Sequence, residues 1–246
     1  MTDGTRRDGA PAMSLGRVAR AVLPGFLSRP IREWVIARRD ARDLRDYRLR
    51  PGASPPHAVK VEAVLACARR HGIRRLLETG TFEGEMVRKV RDAFDSIVTI
   101  ELSAELAEEA RRRLRPYRHV TVRAGDSAEV LPDVLRELRD PALFWLDGHY
   151  SGGGTARGAR ETPLLDELRA IAGHGVRGHV VLIDDARLLG TGDYPSRERV
   201  EELLRERMPE YRLTIADDIA RWEPATSETP SSGERGTEAQ GAVSGS

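Results

Sequence analysis

Between residues 55 and 223, short runs of apolar residues alternate with longer stretches in which apolar positions recur every three or four residues. Val61, Val64, Leu65 and Ala68 fall at i, i+3, i+4 and i+7, which predicts a helix ending near Gly72. The runs Arg75 to Glu78, Ile97 to Leu102, Val120 to Gly125, Leu143 to Gly148 and His179 to Asp185 predict strands. Helices are expected near 84–93, 103–114, 127–138 and 161–172, one between each pair of strands. Strands separated by helices pair in parallel, and helices then cover both faces of the sheet. A further helix near Arg197 to Arg207 leads to strands Tyr211 to Ala216 and Ile219 to Glu223. The turn between them, Asp217-Asp218, is so short that they must run antiparallel. The expected fold class is α/β: a doubly wound sheet of five parallel strands plus an antiparallel C-terminal strand pair.

The pattern weakens outside this span. Residues 1–13 and the tail from 224 to 246 are polar, rich in Gly, Ser, Thr or Pro, and are expected to be disordered. Residues 14–50 are Arg-rich but carry Val18, Val22, Leu23, Phe26, Leu27, Ile31, Trp34 and Val35, so they predict an N-terminal helical appendage in two pieces, broken at Pro24 and Pro30. Three roles are open to it: packing over a ligand mouth, forming a homo-oligomer, or peripheral contact with a membrane surface through its basic, Trp-containing face.

A chain of 246 residues suits one core with appendages. Its 40 Lys and Arg against 39 Asp and Glu leave no global field that would draw it to nucleic acid. No run of apolar residues is long enough for a membrane span, and the single cysteine, Cys67, has no partner for an internal disulfide, so a cytoplasmic protein is expected.

In an open α/β sheet the ligand lies beyond the carboxyl ends of the strands, and here those ends are polar. The first strand runs through Glu78-Thr79-Gly80-Thr81-Phe82-Glu83-Gly84 into a helix; Gly80 permits a tight turn and Gly84 close helix contact. Glu101 ends the second strand about where nucleotide-binding sheets place a carboxylate on ribose hydroxyls, although it also suits a cap for the helix after Ser103. Asp126 and Ser127 end the third strand, where a ligand contact and a helix cap are both open readings. Asp147 ends the fourth strand, and Asp184 and Asp185 end the fifth. Three carboxylates at one sheet edge repel one another unless a cation neutralises them, and hard oxygen ligands suit magnesium, manganese or calcium. His149 follows two residues after Asp147 with a pKa suited to general-base work. The loop 151–158, with Gly152, Gly153 and Gly154, lies on the same side.

Taken together, the strand order and these motifs resemble the class I S-adenosylmethionine-dependent methyltransferases, a Rossmann-like fold. The stretch from Glu78 to Gly84 is similar to the E-x-G-x-F/Y-x-G loop of the cation-dependent small-molecule O-methyltransferases, the catechol and caffeoyl-CoA types. That resemblance implies a donor site made by Glu78, Gly80, Phe82, Gly84, Glu101, Asp126, Ser127 and Asp147. It also implies a magnesium site at Asp147, Asp184 and Asp185, and catalysis by Asp147 and His149. Macrolide and sugar O-methyltransferases carry D-G-x-H-x-Y where this chain has the shorter Asp147-Gly148-His149-Tyr150. Catechol-type enzymes use a nearby lysine instead; Lys60 and Lys89 are the two lysines here, and neither follows the fourth strand. The implied activity is methyl transfer to a hydroxyl of a small-molecule acceptor. The competing readings are a metal-independent methyltransferase of the same fold, a nicotinamide-dependent dehydrogenase, and a non-catalytic nucleotide-binding module. The dehydrogenase is disfavoured by the lack of G-x-G-x-x-G and by the acidic Glu78.

Overall fold

The computed structural model describes residues 25–52, 54–147 and 162–225, without side chains for 25–30 and 32. Its elements, in chain order, are α1 Gly25–Leu49, α2 His57–His71, β1 Arg75–Thr79, α3 Glu85–Val90, β2 Ser96–Glu101, α4 Ala104–Leu114 and β3 Val120–Ala124. They continue as α5 Ser127–Glu137, β4 Leu143–Leu146, α6 Leu164–Ala172, β5 Val180–Ile183, α7 Arg197–Arg207, β6 Tyr211–Ala216 and β7 Ile219–Pro224. Seven strands form one sheet in the order β3-β2-β1-β4-β5-β7-β6. β1 to β5 pair in parallel, β7 joins β5 antiparallel, and β6 closes the edge as the other arm of a hairpin. Asp217 and Asp218 both have positive φ, as a two-residue hairpin loop of the primed type requires.

Because successive strand residues face opposite sides, each central strand feeds two cores. Leu77, Ile100, Phe144, Leu146, Val181 and Ile183 pack with α5, α6 and α7 on one face. Leu76, Ile97, Leu143, Trp145, Val180 and Leu182 pack with α2, α3 and α4 on the other. The central strands are therefore continuous apolar runs, and the same alternation fixes which face each polar residue at a strand end shares.

The proline break expected at Pro30 does not occur: α1 runs unbroken from Gly25 to Leu49. A proline this near the start of a helix forfeits a single ladder bond, to the carbonyl of Phe26 in the first turn, and helices tolerate proline best there. α1 is fixed to the sheet domain by ion pairs from Arg48 to Glu62 of α2 and from Asp40 to Lys89 of α3, the latter at 2.8 Å. Cys67 lies on the buried face of α2, and burial pushes its thiol up to about 11, which makes it unreactive. No helix among the described residues is long and apolar enough to cross a membrane.

Candidate active site

At the carboxyl end of β1 the chain makes a tight, strained turn. Gly80 has φ 84, Phe82 φ 46 and Gly84 φ 69. The amides of Gly80 and Thr81 donate to the Ile100 carbonyl at 3.0 and 3.3 Å, and Gly84 N–H donates back to the Thr81 carbonyl at 2.8 Å. A left-handed conformation is costly for a bulky residue such as Phe82, so something must hold it. That brace is Glu101: its Oε2 accepts the Phe82 N–H at 2.7 Å, and its Oε1 accepts the Ser103 N–H at 3.0 Å. Each carboxylate oxygen retains acceptor capacity, and the ring of Phe82 is half exposed above the turn. Gly84 combines its positive φ with a close approach, since a Cβ there would lie 3.1 Å from Leu114 Cδ1. Gly84→Ala is expected to destabilise the fold by about 1–2 kcal/mol, read as a lower urea midpoint at unchanged m-value. An unchanged midpoint would show that the turn can rotate away from α4.

Beneath this turn Glu78 is buried on the α2 to α4 side of the sheet. Its register partner Thr99 donates a hydroxyl hydrogen bond to Oε2 at 2.5 Å, and the Thr81 hydroxyl meets Thr99 at the same distance. Burial, reinforced by the charges of Asp147 and Glu101, pushes the Glu78 carboxyl up to about 8. Asp126 caps α5, its Oδ1 accepting the Ala128 N–H at 3.0 Å, and Ser127 begins that helix, buried.

The second focus lies at the ends of β4 and β5. Leu146 is registered with Ile183, and the ladder continues one residue further: Asp147 N–H donates to the Thr79 carbonyl at 3.1 Å and Asp184 N–H to the Leu146 carbonyl at 3.0 Å. Alternation then turns both side chains to the face of α2. Asp185 has φ 50, and its N–H donates to Asp184 Oδ1 at 2.9 Å, so consecutive aspartates converge rather than point apart. Asp147, Asp184 and Asp185 each offer an oxygen within 4.8 Å of the others. The strand pairing thus assembles the three aspartates that the sequence singled out.

Two cations come to this cluster from elements that sequence spacing does not connect with it. α2 runs down the sheet and β1 back up, which leaves the first turn of α2 at the carboxyl edge. Lys60 Nζ there lies 2.5 Å from Asp184 Oδ2 and 3.5 Å from Asp185 Oδ1. Arg187 lies 2.8 Å from Asp185 Oδ1 and also pairs with Asp218 in the hairpin turn, whose carbonyl accepts the Ala186 N–H at 2.8 Å. The β6–β7 hairpin therefore helps to set the backbone at Asp185. Burial and the charge of Asp147 raise Asp184 above the ordinary carboxylate range, and Lys60 only partly opposes this. Lys60 itself is raised, because its attraction to Asp184 outweighs its burial.

No protein-family model matches the chain, and no curated protein matches it. Among solved structures it resembles the O-methyltransferase TomG of Streptomyces achromogenes, involved in tomaymycin synthesis and solved with S-adenosylmethionine (SAM). The identity is 20%, over 76% of this chain and 87% of that one, with a TM-score of 0.48. An O-methyltransferase from Bacillus cereus, solved with S-adenosylhomocysteine (SAH), shares 16% identity over 85% and 96% of the two chains, with a TM-score of 0.49. The N-methyltransferase NodS of Bradyrhizobium japonicum shares 14% over 68% and 96%, with a TM-score of 0.47. The sheet order β3-β2-β1-β4-β5-β7-β6, with β1 to β5 parallel and β7 inserted antiparallel, is itself the Rossmann-like arrangement expected from the sequence. The chain has the class I methyltransferase fold.

Within this methyltransferase fold, a cleft between the ends of β4 and β5 is lined by Asp147, Thr162, Glu167, Ile183, Asp184 and Tyr194. Glu167, from the buried side of α6, was not singled out by the sequence. Burial pushes its carboxyl up to about 7, against the pull of the neighbouring Ser127 and Thr79 hydroxyls. Among the described residues, no hydrogen bond of regular geometry reaches its Oε1 or the neighbouring Thr79 hydroxyl, both of which are buried. His149, Gly148, Tyr150 and the glycine-rich stretch 151–158 lie outside the described residues.

Proposed function

We propose that this protein transfers the methyl group of SAM to a hydroxyl of a small molecule, assisted by a divalent cation. The observation that carries this reading is the convergence, at one sheet edge, of the Glu101-braced turn and three aspartates within 4.8 Å of one another. The donor fits the first focus. The Gly80 turn lets the backbone approach a ligand closely, and Glu101 keeps acceptor capacity suited to ribose hydroxyls. A hard divalent cation fits the second. Three carboxylate oxygens are the right donors for it.

Mechanistically, the donor carries its own activated methyl group, so the protein's part is to align and to desolvate. Glu101 and the Gly80–Gly84 turn would hold the nucleoside end, while Asp126 and Ser127 border it. Asp147, Asp184 and Asp185 would hold the cation, which when bound acidifies and orients an acceptor hydroxyl. Tyr194, Thr162 and Glu167 shape the cleft beside them. His149, two residues beyond Asp147, is the proposed proton acceptor.

The test uses SAM, a panel of hydroxylated acceptors, and metal or EDTA. Asp185→Ala, which removes an aspartate outside the implied donor site, is expected to abolish metal-dependent turnover while leaving SAH affinity within about threefold, a change of less than about 1 kcal/mol. Full turnover in EDTA would retain the methyltransferase and remove the cation. Failure of the wild-type protein to bind SAH would remove both.

A further inference from the structure

Lys60 meets the aspartates that, on the cation-assisted reading above, would hold the metal. α2 is an amphipathic helix whose inward stripe includes Val64, Cys67 and Ala68, all buried. Lys60 lies one turn before Val64 on that stripe, so the packing that seats α2 on the sheet also aims this side chain at the edge where β5 ends. Its side chain is 16% exposed, against 1% for Asp184 and 8% for Asp185. The ammonium is thus a buried group's counter-charge rather than a surface ion pair, and it touches oxygens of two of the three cation-binding aspartates.

An ammonium at these distances and a divalent cation at about 2.0–2.6 Å from the same carboxylates cannot share the site, since like charges this close in a partly desolvated cleft repel strongly. Arg187 differs. Its guanidinium is 41% exposed and anchored to Asp218 in the hairpin turn, on the outer side of Asp185. Lysine is a point charge on a flexible stem, able to swing towards solvent without losing a bidentate partner. We propose that Lys60 is a built-in competitor for the cation site: its ammonium closes Asp184 and Asp185 in the metal-free protein and must leave them when a divalent cation enters. Lys60 thereby sets the cation affinity, and the cost of displacing it keeps the site from filling at low metal concentration.

The test is calorimetric titration of manganese into the full-length protein and into Lys60→Met, Lys60→Gln and Lys60→Arg, each with SAH titrated separately. Lys60→Met and Lys60→Gln are expected to bind manganese at least tenfold more tightly than wild type, and Lys60→Arg, which keeps the charge, no more tightly. Without metal, both neutral variants should melt at lower temperature than wild type, because Asp184 loses its counter-charge, and manganese should raise their melting temperatures more than it raises that of wild type. Manganese affinity that is unchanged or weaker in the neutral variants overturns the proposal, as does an absence of manganese binding in all four proteins. SAH binding reports on the methyltransferase reading separately: its absence in wild type removes that reading whatever the manganese series shows.

Discussion

Glu101→Gln is expected to weaken SAH binding by about a hundredfold, or about 2.8 kcal/mol at about 1.4 kcal/mol per tenfold. The carboxylate does two jobs at once. Its oxygens accept the Phe82 and Ser103 amides at 2.7 and 3.0 Å, and they face the place proposed for the ribose. An amide side chain has a single acceptor oxygen, so one backbone N–H would meet an NH2 group, and hydrogen bonds to a charged acceptor are worth about 1.5–3 kcal/mol each. With the brace lost, Phe82 would relax from φ 46 towards the ordinary region, and the turn proposed to receive the donor would open. Calorimetry against SAH checks this, with a thermal melt to confirm that the variant is folded. Wild-type affinity in Glu101→Gln would mean that the donor does not use the end of β2, and the proposed donor site would have to move.

The strands were legible because they are buried on both faces, which leaves uninterrupted runs such as Val180–Ile183 that only a covered sheet accommodates. The candidate site was legible for a related reason: polar residues ending such runs fall at the carboxyl edge, where the ladder places Asp147 and Asp184 side by side. Lys60 was not legible, because its partners are 124 and 125 residues away and only the packing of α2 brings them together. A signal was present, however. The buried stripe runs through Val64 and Cys67 rather than through Val61 and Leu65, and extending it one turn backwards puts a lysine on a buried face. Glu167 carried the same kind of signal, an acid on the buried side of α6 between Leu164 and Ile171. Its neighbours Thr79 and Ser127 come from the end of β1 and the start of α5, so its place at the cleft could not be read from spacing. Asp126 and Glu101 show the remaining ambiguity. At Asp126 the structure displays the cap, whereas α4 is capped by Ser103 and Glu101 braces the Phe82 and Ser103 amides with acceptor capacity to spare.

The pH dependence of stability should carry the signature of Glu78. Its folded-state pKa, about 8, lies well above the ordinary 4.5, with burial as the main cause. Below pH 4.5 the carboxyl is protonated in both the folded and the unfolded chain, so its contribution is fully present there. As pH rises towards 8 the unfolded chain releases the proton and the folded protein does not, so stability is lost across that window, by on the order of 5 kcal/mol in full. Glu78→Gln mimics the protonated form and can still accept the Thr99 hydroxyl. The variant should therefore match wild type in urea denaturation at pH 5 and exceed it by several kcal/mol at pH 8.5. Other titrating groups cancel in this comparison: Glu167, raised to about 7, loses stability in the same direction, and His179, lowered to about 4, loses it as pH falls. An equal difference between the two proteins at both pH values would show that Glu78 is ionised throughout. A proton held there has a use beyond stability. Glu78 feels the charges of Asp147 and Glu101, and a neutral Glu78 adds no third charge to the two proposed ligand-binding carboxylates beside it.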